Sequence, residues 1–215
     1  QAPRERAGLI LGTLVLPDAS AAAAASAVLD GDGDATPAAY RGPGLPGGLI
    51  ARALGLGLGG WGLDAACASS LYAIKLACAE LAAGRADLML AGGLSRPDSL
   101  YTQMGFSQLR ALSARGACTP FDAAGDGLVV GEGAGVLALK RLADAEAAGD
   151  PIFAVIRGVG TSNDIDGSLL APSSEGQQRA MRAAYALAGW DAREVGLYEC
   201  HATGTPLGDG VEVAS

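Results

Sequence analysis

The apolar pattern of the chain changes period twice between residues 61 and 93. A short apolar strand end (Leu63, Ala65, Ala66) runs into Cys67 and a group of small residues. A helical stretch follows to about Ala83, carrying only Lys75 and Glu80 as charges among Leu, Ala, Ile, Tyr and Cys. A helix apolar on nearly every side is expected to be buried. DLMLAGG at 87–93 then returns to a continuous apolar run, so 61–93 reads as strand–helix–strand, the unit of a parallel sheet.

The same reading extends in both directions. Residues 8–16 predict a buried strand, 19–27 an alanine- and serine-rich helix-competent stretch, 31–48 a loop and 49–54 a short helix. GLGLGG at 55–60 matches G-x-G-x-x-G, but a strand follows it rather than a helix, so it reads as a turn. Residues 99–112 read as loop and short helix. Glycines crowd the β-branched run within 119–142, a spacing that favours close backbone approach, and Asp122, Asp126 and Glu132 are assigned to loop and turn bonding. Helices are expected at 142–148, ended by Gly149, and at 173–188, capped by Ser173 or Ser174. Strands are expected at 152–159 and 195–200. The alternation is that of an α/β architecture, in which reactive groups gather at the carboxyl ends of strands.

Composition narrows the function classes. The 215 residues are 50% hydrophobic, enough for a large core, and the net charge is −8 with lysine only at positions 75 and 140. No basic patch is available to offset phosphate charge, which argues against nucleic acid. The four cysteines (67, 78, 118, 200) lack paired metal spacing and suit a reducing cytoplasm better than a disulfide framework. Arg4-Glu5-Arg6 before AGLILGTLVL imitates an export signal in outline, but the chain opens with Gln rather than Met and LILGTLVL reads as a buried strand, the reading expected here. No uninterrupted apolar run reaches the roughly 18 residues of a membrane span.

Two residues carry candidate chemistry. Cys67 is placed on a sharp turn out of a strand, at a helix N-terminus, where backbone N–H groups and the helix dipole favour thiolate. That is a nucleophile position, although a cysteine among apolar residues is equally a packing residue. His201 is the single histidine, so any cysteine–histidine chemistry within the chain must use it. It opens HATGTPLGD, where Thr203 and Thr205 alternate from it; this suits a polar substrate head, while an isolated histidine can also be a satisfied polar residue.

DAACASS around Cys67, the PFD and GEGAG segments (120–122 and 131–135) and ECHATGTPLGD together resemble the β-ketoacyl synthases, the condensing enzymes of fatty acid and polyketide assembly. The resemblance covers almost the whole chain, with three motifs in order. It is nearest to the ketosynthase domains of multidomain synthases, those of polyunsaturated fatty acid synthases among them. It implies a thiolase-like α/β fold of α-β-α-β-α layers, of which this chain is mainly part of the N-terminal half. It also implies a homodimer, an acyl carrier protein as partner, the rest of a multidomain synthase around it, and a cytoplasmic location. Cys67 corresponds to the nucleophile that takes an acyl chain from a phosphopantetheine thiol, and His201 to the first histidine of a Cys-His-His triad. Thr203 and Thr205 match positions that touch the pantetheine arm. The implied reaction is acyl loading followed by decarboxylative Claisen condensation with a malonyl thioester, with no metal and no tightly bound cofactor.

Two features depart from the family pattern. Ala202 stands where the motif usually has glycine, and the second histidine, its neighbouring lysine and the Gly-Phe-Gly-Gly loop are expected beyond Ser215. Residues 1–215 therefore read as an incomplete ketosynthase domain lacking upstream and C-terminal portions, inactive in isolation. The alternatives are a thiolase-fold homologue that only initiates or decarboxylates, and a non-catalytic partner subunit. The intact Cys67 and His201 weigh against the latter.

Overall fold

The computed structural model describes residues 4–14, 44–95, 100–165 and 171–215. The chain divides into two compact units, one of residues 1–96 and 132–153, the other of residues 97–131 and 154–215. The helix-competent stretch at 19–27 and the first part of the loop at 31–48 lie outside the described residues.

The first unit is built on a sheet. After a 3-10 turn at Arg4–Arg6 come β1 (Ala7–Gly12), α1 (Gly44–Leu54), β2 (Gly60–Leu63), α2 (Ser69–Ala82), β3 (Leu88–Ser95), β4 (Gly133–Leu139) and α4 (Leu142–Ala148); α3 (Leu100–Gln108) belongs to the second unit. The strand order is β2-β1-β3-β4. β1 runs parallel to both β2 and β3, and β4 closes the far side antiparallel to β3. β1 is therefore central and buried along its whole length, as its unbroken apolar sequence requires. The strand–helix–strand expected at 61–93 is present as β2, α2 and β3, and the strand expected at 8–16 forms as β1 over Ala7–Gly12, residues 15 and 16 lying outside the described residues. Among the described residues no helix is long and apolar enough to cross a membrane.

Helices lie against the inner strands of the sheet, while β4 is exposed along most of its length. On one face, Ile10, Met89 and Ala91 pack with Ala73, Ala77 and Leu81 of α2, joined by Leu58, Leu63 and Leu139. On the other, α1 lies so close to β2 that a Cβ on Gly47 would stand 2.9 Å from the carbonyl oxygen of Trp61. α1 begins at Gly44, inside the segment expected to be loop. Its Pro46 falls in the first turn, where a missing N–H breaks no helical bond. GLGLGG is a turn, as expected, with Gly55 and Gly59 in the left-handed region at φ 66° and 75°.

α2 corrects one expectation. It is not enclosed: Ser69, Ala73, Ala77 and Leu81 form a buried stripe at i, i+4 spacing, whereas Leu71 is 61% exposed. The sheet covers one stripe, and alanine at its centre lets helix and sheet approach. Glu80 lies on the open side, paired with Arg85 at 2.8 Å.

The second unit holds α3, α5 (Ser174–Ala188), a 3-10 turn at Ala192–Glu194 and α6 (Pro206–Ala214). The helices expected at 142–148 and 173–188 form, ending at Gly149 and Gly189 in the left-handed conformation. Ser173 is the N-cap of α5, but its side chain makes no capping hydrogen bond. The strands expected at 152–159 and 195–200 do not form. A strand exists only with a ladder partner, and among the described residues neither segment has one; the first lies against α5. A Cβ on Gly158 would stand 2.5 Å from the Ala184 carbonyl oxygen, and one on Gly160 would collide with that of Ala180.

One ion-pair network ties the edges of the first unit together. Asp87, at the start of β3, accepts from Arg6 at 2.7 Å and from Arg141 at 2.6 Å. Arg141 also donates to the carbonyls of Leu81 and Ala86. The Arg6 hydrogen bond, followed by that of Arg141, lowers the Asp87 carboxyl from 3.8 to about 2. A carboxylate held below its unfolded value stabilises the fold above that value and loses the contribution as pH falls. The stability difference between the wild type and Asp87→Asn should thus be full above about pH 5 and shrink toward pH 2. Urea midpoints of the two proteins across this range test it; a difference that grows on acidification contradicts it.

Candidate functional site

Cys67 sits where β2 hands over to α2. Asp64 Oδ1 accepts the Ala66 N–H at 2.9 Å, and Ser69 Oγ accepts the Ala65 N–H at 2.9 Å while donating to the Ala66 carbonyl at 2.6 Å. These bonds close the chain into a turn in which Ala66 takes φ 50°. An L-residue with a Cβ pays about 1–2 kcal/mol there, so the turn is held rather than preferred. Cys67 follows, exposed, immediately before the α2 N-cap residue Ala68.

The sheet permits this placement. Gly12 of β1 and Gly93 of β3 are register partners. A Cβ on Gly12 would stand 2.6 Å from the Ser69 carbonyl carbon, and one on Gly93 would stand 3.1 Å from the Ser70 Cβ. The first turn of α2 rests on two bare strand ends, which sets the height of Cys67 above them. Sequence reasoning noted the small residues around Cys67 but not these glycines on neighbouring strands; only strand register pairs them.

His201, Thr203 and Thr205 belong to the second unit. His201 is exposed. It follows no strand, contrary to the expectation; carboxylates of α6 hold its backbone in place of a ladder. Glu212 accepts the N–H of His201 at 2.6 Å and of Ala202 at 2.8 Å. Asp209 accepts the N–H of Gly204 at 3.1 Å and of Phe121 at 2.7 Å. The hydroxyls of Thr203 and Thr205 meet at 2.9 Å, and Thr205 is the N-cap of α6 ahead of Pro206. Two residues of this loop, Ala202 and Gly204, are left-handed at φ 51° and 74°.

The structure thus brings the residues on either side of the PFD motif against HATGT: Gly127 N–H donates to the Gly204 carbonyl at 3.0 Å, and Cys118 Sγ lies 3.5 Å from that of Thr203. Asp122 has the turn role expected of it, whereas Asp126 reaches back to Ser113. Asp122 accepts from Ala124 N–H at 2.7 Å, and Asp126 from Ser113 Oγ at 2.6 Å, the bond that chiefly lowers the Asp126 carboxyl. Asp209 and Glu212 were missed by the sequence reading; their signal was two acids at i, i+3 within a proline-started helix. The four cysteines form no disulfide, and burial raises the Cys78 thiol. Among the described residues no group of three or more His, Cys, Asp or Glu could hold a metal ion.

Comparison with known proteins decides the family. The model of the β-ketoacyl synthase N-terminal domain matches residues 2–145, and that of the C-terminal domain matches residues 153–215. The chain belongs to the β-ketoacyl synthase family. It is 47% identical over 156 residues to a phthioceranic/hydroxyphthioceranic acid synthase of Mycobacterium bovis, covering 71% of this chain and 7% of that protein. It is 45% identical over 172 residues to a mycocerosic acid synthase-like polyketide synthase of Mycolicibacterium smegmatis, covering 80% of this chain and 8% of that protein. Among solved structures, the PfaC keto synthase–chain length factor superposes with a TM-score of 0.84 at 42% identity, over 98% of this chain and 25% of that one. An oxazolomycin ketosynthase domain of Streptomyces albus gives 0.82 at 30% identity, over 97% of this chain and 36% of that one. The fold is thiolase-like, as these ketosynthases are, and the chain spans less than a tenth of the curated synthases it matches.

The left-handed turn at Ala66 generates a test. Ala66→Gly removes the Cβ strain while adding freedom to the unfolded chain, so its unfolding free energy should stay within about 0.5 kcal/mol of wild type. Ala66→Val should cost about 2 kcal/mol or more, because a β-branched side chain is least tolerant of positive φ. Denaturant unfolding of the two variants measures both; equal losses would mean that the turn stores no strain.

Proposed function

We propose that the chain is the nucleophile-bearing part of a ketosynthase that loads an acyl group on Cys67 and extends it by decarboxylative condensation with a malonyl thioester. The observation that carries this reading is the placement of Cys67: an exposed thiol, on a strained turn, at the junction of a strand and a helix N-terminus. Cys78, on the same helix, has a thiol whose titration burial pushes up.

In the proposed sequence the Cys67 sulfur attacks the thioester carbonyl of an acyl group carried on phosphopantetheine, and the carrier thiolate leaves. The α2 N-terminus presents backbone N–H groups that favour the oxyanion formed in that step. The malonyl thioester then loses CO₂; the electron pair of the broken C–C bond becomes an enolate, whose oxygen accepts from the His201 side-chain N–H. The enolate carbon attacks the Cys67 thioester, the C–S bond breaks, and the thiolate returns as the β-ketoacyl product stays on the carrier. Thr203 and Thr205 face the pantetheine arm in this scheme. The partners are an acyl carrier protein, a second copy of the domain and the remainder of a multidomain synthase in the cytoplasm.

Two measurements on the full-length synthase check the roles. Brief iodoacetamide treatment near neutral pH should modify Cys67 ahead of Cys78; dominant labelling elsewhere with Cys67 untouched removes it as nucleophile. His201→Ala should still load acyl groups on Cys67 but lose CO₂ release and condensation by about 10²-fold, the scale of removing one oxyanion donor. An equal loss of loading would make His201 the base that activates Cys67.

A further inference from the structure

The loop that carries His201 is held to the 119–127 loop through one buried carboxylate. Asp209 is only 8% exposed and has one oxygen on the Gly204 N–H and the other on the Phe121 N–H. Both amides lie on left-handed residues, Gly204 at φ 74° and Phe121 at φ 59°. A phenylalanine in that region is a genuine outlier and needs outside support. Around this bridge the loops are in backbone contact: a Cβ on Gly125 would stand 3.2 Å from the Gly204 carbonyl oxygen, and Gly127 N–H donates to the same oxygen. Neither loop has a ladder to fix it.

We infer that Asp209 is a positioning residue: its carboxylate clamps the Phe121 and Gly204 amides together and so fixes where His201 stands. The inference rests on the proposed role of His201 and adds to it the device that aims the imidazole. An ionised carboxylate suits the task because it is acceptor-only on both oxygens. Asparagine offers one acceptor and turns an NH₂ donor toward the second amide, so it keeps at most one of the two bonds. Glu212, three residues on along α6, grips the His201 and Ala202 amides, so the loop is anchored on both sides of Thr203.

The test uses the full-length synthase with Asp209→Asn and Asp209→Ala. In the wild type the Phe121 and Gly204 amides should exchange with deuterium at least about 100-fold more slowly than free peptide amides. Asp209→Ala should speed both by about tenfold or more and Asp209→Asn less, with exchange in β1 unchanged. Condensation kcat should fall about tenfold or more in Asp209→Ala, with KM for the malonyl-loaded carrier within about threefold and acyl loading of Cys67 within about twofold. Unprotected Phe121 and Gly204 amides in the wild type overturn the clamp without any variant needing to fold. Unchanged kcat in a folded Asp209→Ala, or loading and condensation lost in equal measure, overturns the positioning role. Protected amides in a wild-type synthase that makes no β-ketoacyl product would refute the functional reading and leave the clamp standing.

Discussion

The close approach of a helix N-terminus to two strand ends governs the first unit. Gly12 and Gly93 stand side by side in the sheet, and Ser69 and Ser70 occupy the space that their side chains would fill. With that spacing set, the chain has only a few residues in which to leave β2 and enter α2. The turn at Ala66, its left-handed backbone and the two bonds of the Ser69 hydroxyl follow from this short connection. The same constraint explains alanine along the buried stripe of α2, since a larger residue at Ala73 or Ala77 would lift the helix off Ile10 and Met89.

The second unit solves a similar problem by other means. Its loop bearing His201 has no adjacent strand, so side-chain carboxylates replace the missing ladder. Backbone N–H groups without a ladder need other acceptors, and Asp209 and Glu212 accept from four of them, of which Gly204 lies buried. Both acids come from one helix, started by Pro206 and capped at Thr205, so the position of α6 and the shape of the loop are one structural unit. A carboxylate that accepts two amides also tolerates the left-handed residues that the loop contains, because it bonds the N–H without regard to the direction of the chain.

Much of this was legible in the sequence because it depends on neighbours along the chain. The strand–helix–strand at β2, α2 and β3, the glycine stop at 149 and the turn at 55–59 are local, and each appears where the period and the punctuation of the sequence put it. Cys67 at a strand-to-helix turn is of the same kind. The motifs around Cys67 and His201 pointed to the family that the comparisons establish.

Other features depend on residues far apart in sequence, and no window of the chain contains them. Whether 152–159 becomes a strand depends on a ladder partner elsewhere in the chain, and among the described residues it has none. Whether α2 is enclosed depends on what lies against each of its sides, which composition does not state. The pairing of Gly12 with Gly93, and of Asp209 with Phe121 88 residues away, exists only once strands are in register and α6 is in place. The sequence alone determined which residues can do chemistry and the local geometry that presents them. Tertiary structure decided which backbone groups would be left without a ladder, and which distant side chains would hold them.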